Sequence, residues 1–175
     1  MSAIGSEYGN AIFLLAKEEG ILDEAAAALI EVKRLFSENP LYCDFLETPS
    51  IPISERLGAV RASLDGNVPD CVTDFICILT ERGYIRAYDD CEKEFEDRYN
   101  EEFGIAVAEV TSAKALSVAE RQELRDRLQE QTCKRIKLVC SVDPTLVGGL
   151  TVKIEGRLFD GSLRARINDL IGAMS

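Results

Sequence analysis

The chain has 175 residues, 46% hydrophobic and 29% charged, a balance that suits one or two folded domains and argues against intrinsic disorder. Its net charge of −11 is uneven, −13 over residues 1–104 and +2 over 105–175. So acidic a first half excludes binding to nucleic-acid phosphates or to an anionic membrane surface. Apolar runs such as Ala11 to Ala16 fall far short of the ~20 residues that cross a bilayer, and the opening MSAIGSEYGN resembles neither an export signal nor a transit peptide.

The first half reads as helices with short breaks. Tyr8, Ala11, Ile12, Leu15 and Ala16 recur at helical spacing, and Gly20 stops that helix. A second helix is expected to be capped by Asp23, to carry Ala25, Ala26, Leu29, Val32 and Phe36 on one side, and to end at Asn39-Pro40. A short piece, Leu41 to Glu47, is closed by Thr48-Pro49. Ser54 is placed to cap a helix bearing Leu57, Val60 and Leu64, followed by a turn at Asp65-Gly66-Asn67. Pro69 suits the first position of a fifth helix with Val72, Phe75, Ile76 and Leu79 on one face, broken by Gly83. The sixth aligns Tyr88, Cys91, Phe95, Tyr99 and Phe103 and ends at Gly104. Six helices with short links predict an all-α N-terminal bundle over 1–104.

Beyond Gly104 the period changes. Ile105 to Thr111 is β-branched and strand-like, and Ser117-Val118-Ala119-Glu120 is a capping box opening a polar helix with Leu124 and Leu128. Ile136, Leu138, Cys140 and Val142 alternate with more polar neighbours, as do Leu150, Val152 and Ile154. Asp143-Pro144 ends the first of these strands, and Gly148-Gly149 is expected to return the next strand beside it as a hairpin. Asp160-Gly161-Ser162 turns into a final helix with Leu163, Ile167, Leu170 and Ile171. Residues 105–175 therefore predict a small α+β C-terminal domain.

The chemistry of a catalyst is missing. Without histidine there is no Ser-His-Asp or Cys-His pair. Gly148-Gly149 lacks the Lys-Ser/Thr ending of a phosphate loop, and the carboxylates of the sixth helix read as a solvated face. The six cysteines contain no CxxC pair and read as buried apolar side chains in a reducing compartment. Neither a cofactor nor a metal site is expected. From these residues alone, a helical adaptor with an α+β appendage and a cysteine-dependent redox protein both stay open.

The run Val142-Asp143-Pro144-Thr145-Leu146-Val147-Gly148-Gly149-Leu150-Thr151-Val152-Lys153-Ile154 resembles the signature of the F-type ATP synthase delta subunit family, whose mitochondrial counterpart is the oligomycin sensitivity-conferring protein. Asp160-Gly161-Ser162-Leu163-Arg164-Ala165-Arg166-Ile167 and Thr111 to Ser117 are similar to further stretches of that family, as are Tyr8 to Phe13 and Asn39-Pro40 with Phe45-Leu46 and Pro49. The high cysteine count departs from the family. So does Gly9, where alanine is common and glycine weakens a helix.

The resemblance implies a non-catalytic stator component of the peripheral stalk, one copy per complex and a monomer in isolation, at the cytoplasmic face of a bacterial plasma membrane without insertion into it. It also implies that the bundle binds the N-terminal helix of an alpha subunit between its first and fifth helices, through Ile4, Tyr8, Ala11, Ile12, Leu15, Val72, Phe75, Ile76 and Leu79. The C-terminal domain would hold the b subunits, with Leu163, Ile167 and Leu170 as contacts. Asp143, Pro144, Gly148, Gly149, Asp160 and Gly161 would be structural turns.

Overall fold

Glycine and proline divide the first hundred residues at nearly every joint. A computed structural model describes residues 2–145, 150–154 and the backbone of 157–158, and the chain separates into two units, Met1–Tyr99 and Asn100–Ser175. Helix α1 (Ala3–Glu19) opens on Ser2, whose hydroxyl accepts from the Gly5 N–H, and closes on Gly20 at φ 71°. Helices α2 (Leu22–Glu38) and α3 (Pro40–Glu47) meet at Asn39, with Pro40 beginning the second because its missing N–H is unneeded there. Helices α4 (Ile53–Leu64) and α5 (Asp70–Arg82) follow, the latter closed by Gly83 at φ 69°. A 3-10 turn (Ile85–Ala87) leads into α6 (Tyr88–Glu102).

The core of the first unit draws on all six of these helices, including Ile12, Phe13, Leu29, Val32, Leu46, Val60, Val72, Ile76, Leu79, Cys91 and Phe95. Phe13 and Phe95 meet edge to face, with ring centroids 5.9 Å apart. Tyr88 is buried, and its hydroxyl donates to the Leu29 carbonyl at 2.6 Å, which satisfies the one polar atom that its ring brings inside.

Two expected caps are corrected. Asp23 is the second residue of α2, with Ile21 at the cap position, and its carboxylate accepts the Tyr99 hydroxyl instead. Ser54 likewise lies inside α4: Pro52, at φ −53°, takes the cap position, and the helix begins at Ile53 without a side-chain cap. Pro69 stands one residue before the start of α5.

Among the described residues of the second unit, β1 (Ile105–Ser112), β2 (Arg135–Val142), β3 (Leu150–Ile154) and β4 (Arg157–Leu158) form a sheet of order β2-β1-β3-β4, and α7 (Val118–Thr132) joins β1 to β2. The capping box is formed, with the Ser117 hydroxyl accepting from the Glu120 N–H and the Glu120 carboxylate accepting from the Ser117 N–H. Ala106, Ala108 and Val110 share a face with Ile136, Val152 and Ile154, and together with Leu124 and Leu128 of α7 they make the core.

The expected hairpin between β2 and β3 is wrong. β2 pairs with β1 in parallel, and β3 pairs antiparallel with the opposite edge of β1. A helix separates β1 from β2, and such a connection returns a strand parallel to its predecessor. That takes one edge of β1 and leaves the other for β3.

Candidate partner interface

Helix α5 is enclosed on most sides. Val72, Ile76 and Leu79 are fully buried and Phe75 is 6% exposed, so these four are core residues, as is Ile12 on α1. Their helical spacing records how α5 sits among its neighbours. The accessible apolar side chains lie beside that stripe: Ala11 and Leu15 on α1, and Ile78, 45% exposed, on α5. Ile4 and Tyr8 are half-buried.

These residues border one seam. Helix α1 packs against α5, and two contacts fix their direction. Cys71, at the start of α5, lies beside Glu19 at the end of α1; burial first, and then that carboxylate, pushes the Cys71 thiol up. At the other end Tyr8 meets Tyr84, just after α5, with ring centroids 5.9 Å apart. The helices therefore run antiparallel. Ile4, Tyr8, Ala11 and Leu15 are spaced i, i+4, i+7, i+11, and so are Cys71, Phe75, Ile78 and Arg82, which puts each set on one side of its helix. Since Tyr8 and Cys71 both face the other helix, the two stripes flank the seam between them.

Exposed carboxylates edge both stripes, Glu7 and Glu18 on α1 and Asp74 and Glu81 on α5. Asp74 also pairs with Arg61 of α4 at 3.2 Å. The result is a shallow apolar strip with an acidic margin, suited to an amphipathic helix. Ile78 lies off the buried stripe, and an apolar residue out of phase on its helix is the sequence signal for such an exposed position. Leu14, 54% exposed, falls on the side of α1 opposite the core.

Cys71, Cys77 and Cys91 are buried as expected, but Cys43 and Cys140 are only half-buried and Cys133 is exposed, because it closes α7 at the surface, so the expectation that all six are buried is corrected. Burial pushes Cys43, Cys71 and Cys77 up, and it raises Cys91 to about 11, which removes the thiolate a redox cysteine needs. A cleft of about 330 Å³ between α2, α3 and the 3-10 turn contains Lys33 and Arg86. Lys33 is bound to Glu92 at 2.7 Å, and Arg86 to Glu47 and Asp44, so its cations already have internal partners. Among the described residues no group of His, Cys, Asp or Glu is arranged to hold a metal ion.

In the second unit Asp143 follows the last residue of β2, and its carboxylate accepts from the Thr145 N–H at 2.9 Å and hydroxyl at 2.6 Å. Those bonds hold its carboxyl below the usual range. This is the local turn expected at Asp143-Pro144. Gly148, Gly149, Asp160, Gly161, Leu163, Ile167 and Leu170 lie outside the described residues.

Residues 4–174 match the family model described as the ATP synthase delta (OSCP) subunit. The chain belongs to this family. It is 33% identical to the ATP synthase subunit delta of Lachnoclostridium phytofermentans over 95% of this chain and 92% of that one. It is 30% identical to the subunit delta of Symbiobacterium thermophilum over 94% and 89%. With the mitochondrial ATP synthase subunit O of Ipomoea batatas, identity is 27% over 97% of this chain and 71% of the relative. A chain from the Toxoplasma gondii mitochondrial ATP synthase hexamer superposes with a TM-score of 0.74, covering 99% of this chain and 98% of that chain at 14% identity, a likeness of fold.

The family member is accordingly a non-catalytic stator component of the peripheral stalk of an F-type ATP synthase, and it works in company with other subunits of that complex. Its association with the membrane is peripheral, through the complex; among the described residues no helix is long and apolar enough to cross a bilayer.

Proposed function

We propose that this chain ties the catalytic head to the membrane-anchored stalk through two separate interfaces. The N-terminal bundle, residues 1–104, takes the amphipathic N-terminal helix of an alpha subunit along the α1–α5 seam. Residues 105–175 hold the ends of the b subunits, with Leu163, Ile167 and Leu170 among the contacts. The chain acts as one copy per complex, at the cytoplasmic face of a bacterial plasma membrane, and is a monomer when isolated.

The observation that carries this reading is the pair of stripes flanking the seam, apolar apart from Arg82, with Leu15 and Ile78 exposed and carboxylates at both margins. Apolar anchors supply most of the affinity in helix-in-groove binding, and the acidic margin steers a partner with basic residues at its rim. A stator must resist the torque of rotation, which calls for slow dissociation at both interfaces. Joining two interfaces in one chain strengthens each attachment through the other.

The chain contains no tryptophan, so a tryptophan-labelled peptide from the alpha subunit N-terminus reports its own environment. Saturable one-to-one binding with a blue shift supports the reading. A folded chain that leaves the peptide in water refutes the proposed groove.

A further inference from the structure

Among the described residues strand β2 pairs on one side only, with β1. Its inward residues are identified by backbone bonds at both ends: the Arg135 N–H donates to the Gly104 carbonyl, and the Asp143 N–H donates to the Ser112 carbonyl. Successive residues of a strand turn their N–H and C=O groups to opposite edges. Residues 135, 137, 139 and 141 therefore face β1, and Ile136, Leu138, Cys140 and Val142 face outward. The Ile136 N–H is met by the Gln129 side-chain oxygen at 3.5 Å. Leu138, Cys140 and Val142 find no backbone partner at that edge among the described residues.

Proteins usually blunt such an edge with charge, proline or a bulge. Here the protection is one-sided. Lys134, Arg135 and Lys137 guard the start, whereas Leu138-Val139-Cys140-Ser141-Val142 carries no charge before Asp143-Pro144. Val139 is 47% exposed and Val142 52% exposed.

We propose that the outer edge of β2 is a strand-addition site for an extended segment of the stalk's b chains, apolar where it meets Leu138–Val142 and acidic where it meets Arg135. The proposal rests on the reading that residues 105–175 hold the b subunits, and it adds the mode of attachment. Main-chain bonds to Leu138, Cys140 and Val142 supply affinity, and the uneven charge along the edge sets the register. A second copy of this chain is the poorer occupant. β2 contains no acidic residue to meet the basic end, and the Asp143 carboxylate just beyond is engaged by Thr145.

The test is residue-by-residue amide hydrogen exchange on the full chain, with and without the soluble portion of the b chains. Strand addition slows the Leu138, Cys140 and Val142 amides by about tenfold or more, with little change at the already bonded Val139 and Ser141. Binding of the b chains without that alternating protection overturns the proposal and leaves the stator reading intact. Absence of any binding to residues 105–175 refutes the underlying reading as well. Protection that grows with the concentration of this chain alone indicates self-pairing and also overturns it. In a second measurement Cys140→Pro, which removes an outward N–H and no bond to β1, weakens b-chain binding by about tenfold or more while thermal unfolding stays cooperative. Unchanged affinity in that folded variant counts against strand addition.

Discussion

The backbone of Gly9 on α1 lies directly against the carbonyl of Cys91 on α6, so close that a methyl group at position 9 would fall 2.6 Å from the Glu94 Cβ. Gly5, one turn earlier, meets Asp90 in the same way. The Ser2 N–H donates to the Asp90 carboxylate at 2.7 Å, and the Ser6 hydroxyl donates to Glu94 at 3.3 Å, so the start of α1 is fastened to α6 along its length. Glycine at position 9, which looks like a weakness by helix propensity, is what permits this approach. Gly9→Ala gains about 1 kcal/mol of propensity and loses about 1–3 kcal/mol to overpacking against main chain that cannot yield. The expected result is a lower urea midpoint, and a raised midpoint would show that α1 shifts away at no cost.

Cys133 closes α7 in the left-handed region, at φ 53°. Glycine occupies that conformation without strain, so Cys133→Gly should stabilise the second unit by about 1 kcal/mol. Thermal unfolding of the two proteins side by side decides it; a lower melting temperature would mean that the side chain contributes packing the backbone argument omits.

Burial raises the Tyr88 hydroxyl well above the ordinary tyrosine range. The neutral form is the one favoured in the folded state, so the contribution is intact below the unfolded pKa of about 10 and is lost as pH rises above it. Stability should therefore hold through neutral pH and fall in alkali. Tyr88→Phe should flatten part of that decline and cost about 1–2 kcal/mol at pH 7, because the Leu29 carbonyl loses its donor. Chemical denaturation across pH measures both effects.

Phe75 and Ile78 lie less than one turn apart on α5 and should fail differently. Phe75 is in the core, so Phe75→Asp buries an unpaired charge and unfolds the first unit. Ile78 is exposed, so Ile78→Asp should leave helicity within about 0.5 kcal/mol of the parent's stability and weaken alpha-peptide binding by about tenfold. Circular dichroism and peptide titration separate the outcomes. Ile78→Asp with full affinity would remove the seam from consideration.

The joints of the fold are legible because few residues can make them: Gly20 and Gly83 in left-handed caps, Pro40 opening α3, Ser117 with Glu120 opening α7. Strand partners are less legible. Leu150, Val152 and Ile154 alternate identically whether they join β2 or β1, and only the parallel return through α7 decides between them. The accessible surface beside the α1–α5 seam is the least legible feature. A periodic apolar face marks burial of any kind, and on α5, enclosed on most sides, it marked the core at Val72, Phe75, Ile76 and Leu79 while the accessible Ile78 stood out of phase.

Reconstitution shows whether this one chain couples head to stalk. Membranes whose ATP synthase has been stripped of its head and of this subunit are supplied with the head alone or with head and this chain. The chain should be needed to retain the head on the membranes and to restore ATP synthesis driven by an ion gradient. Equal retention and synthesis with the head alone would contradict it.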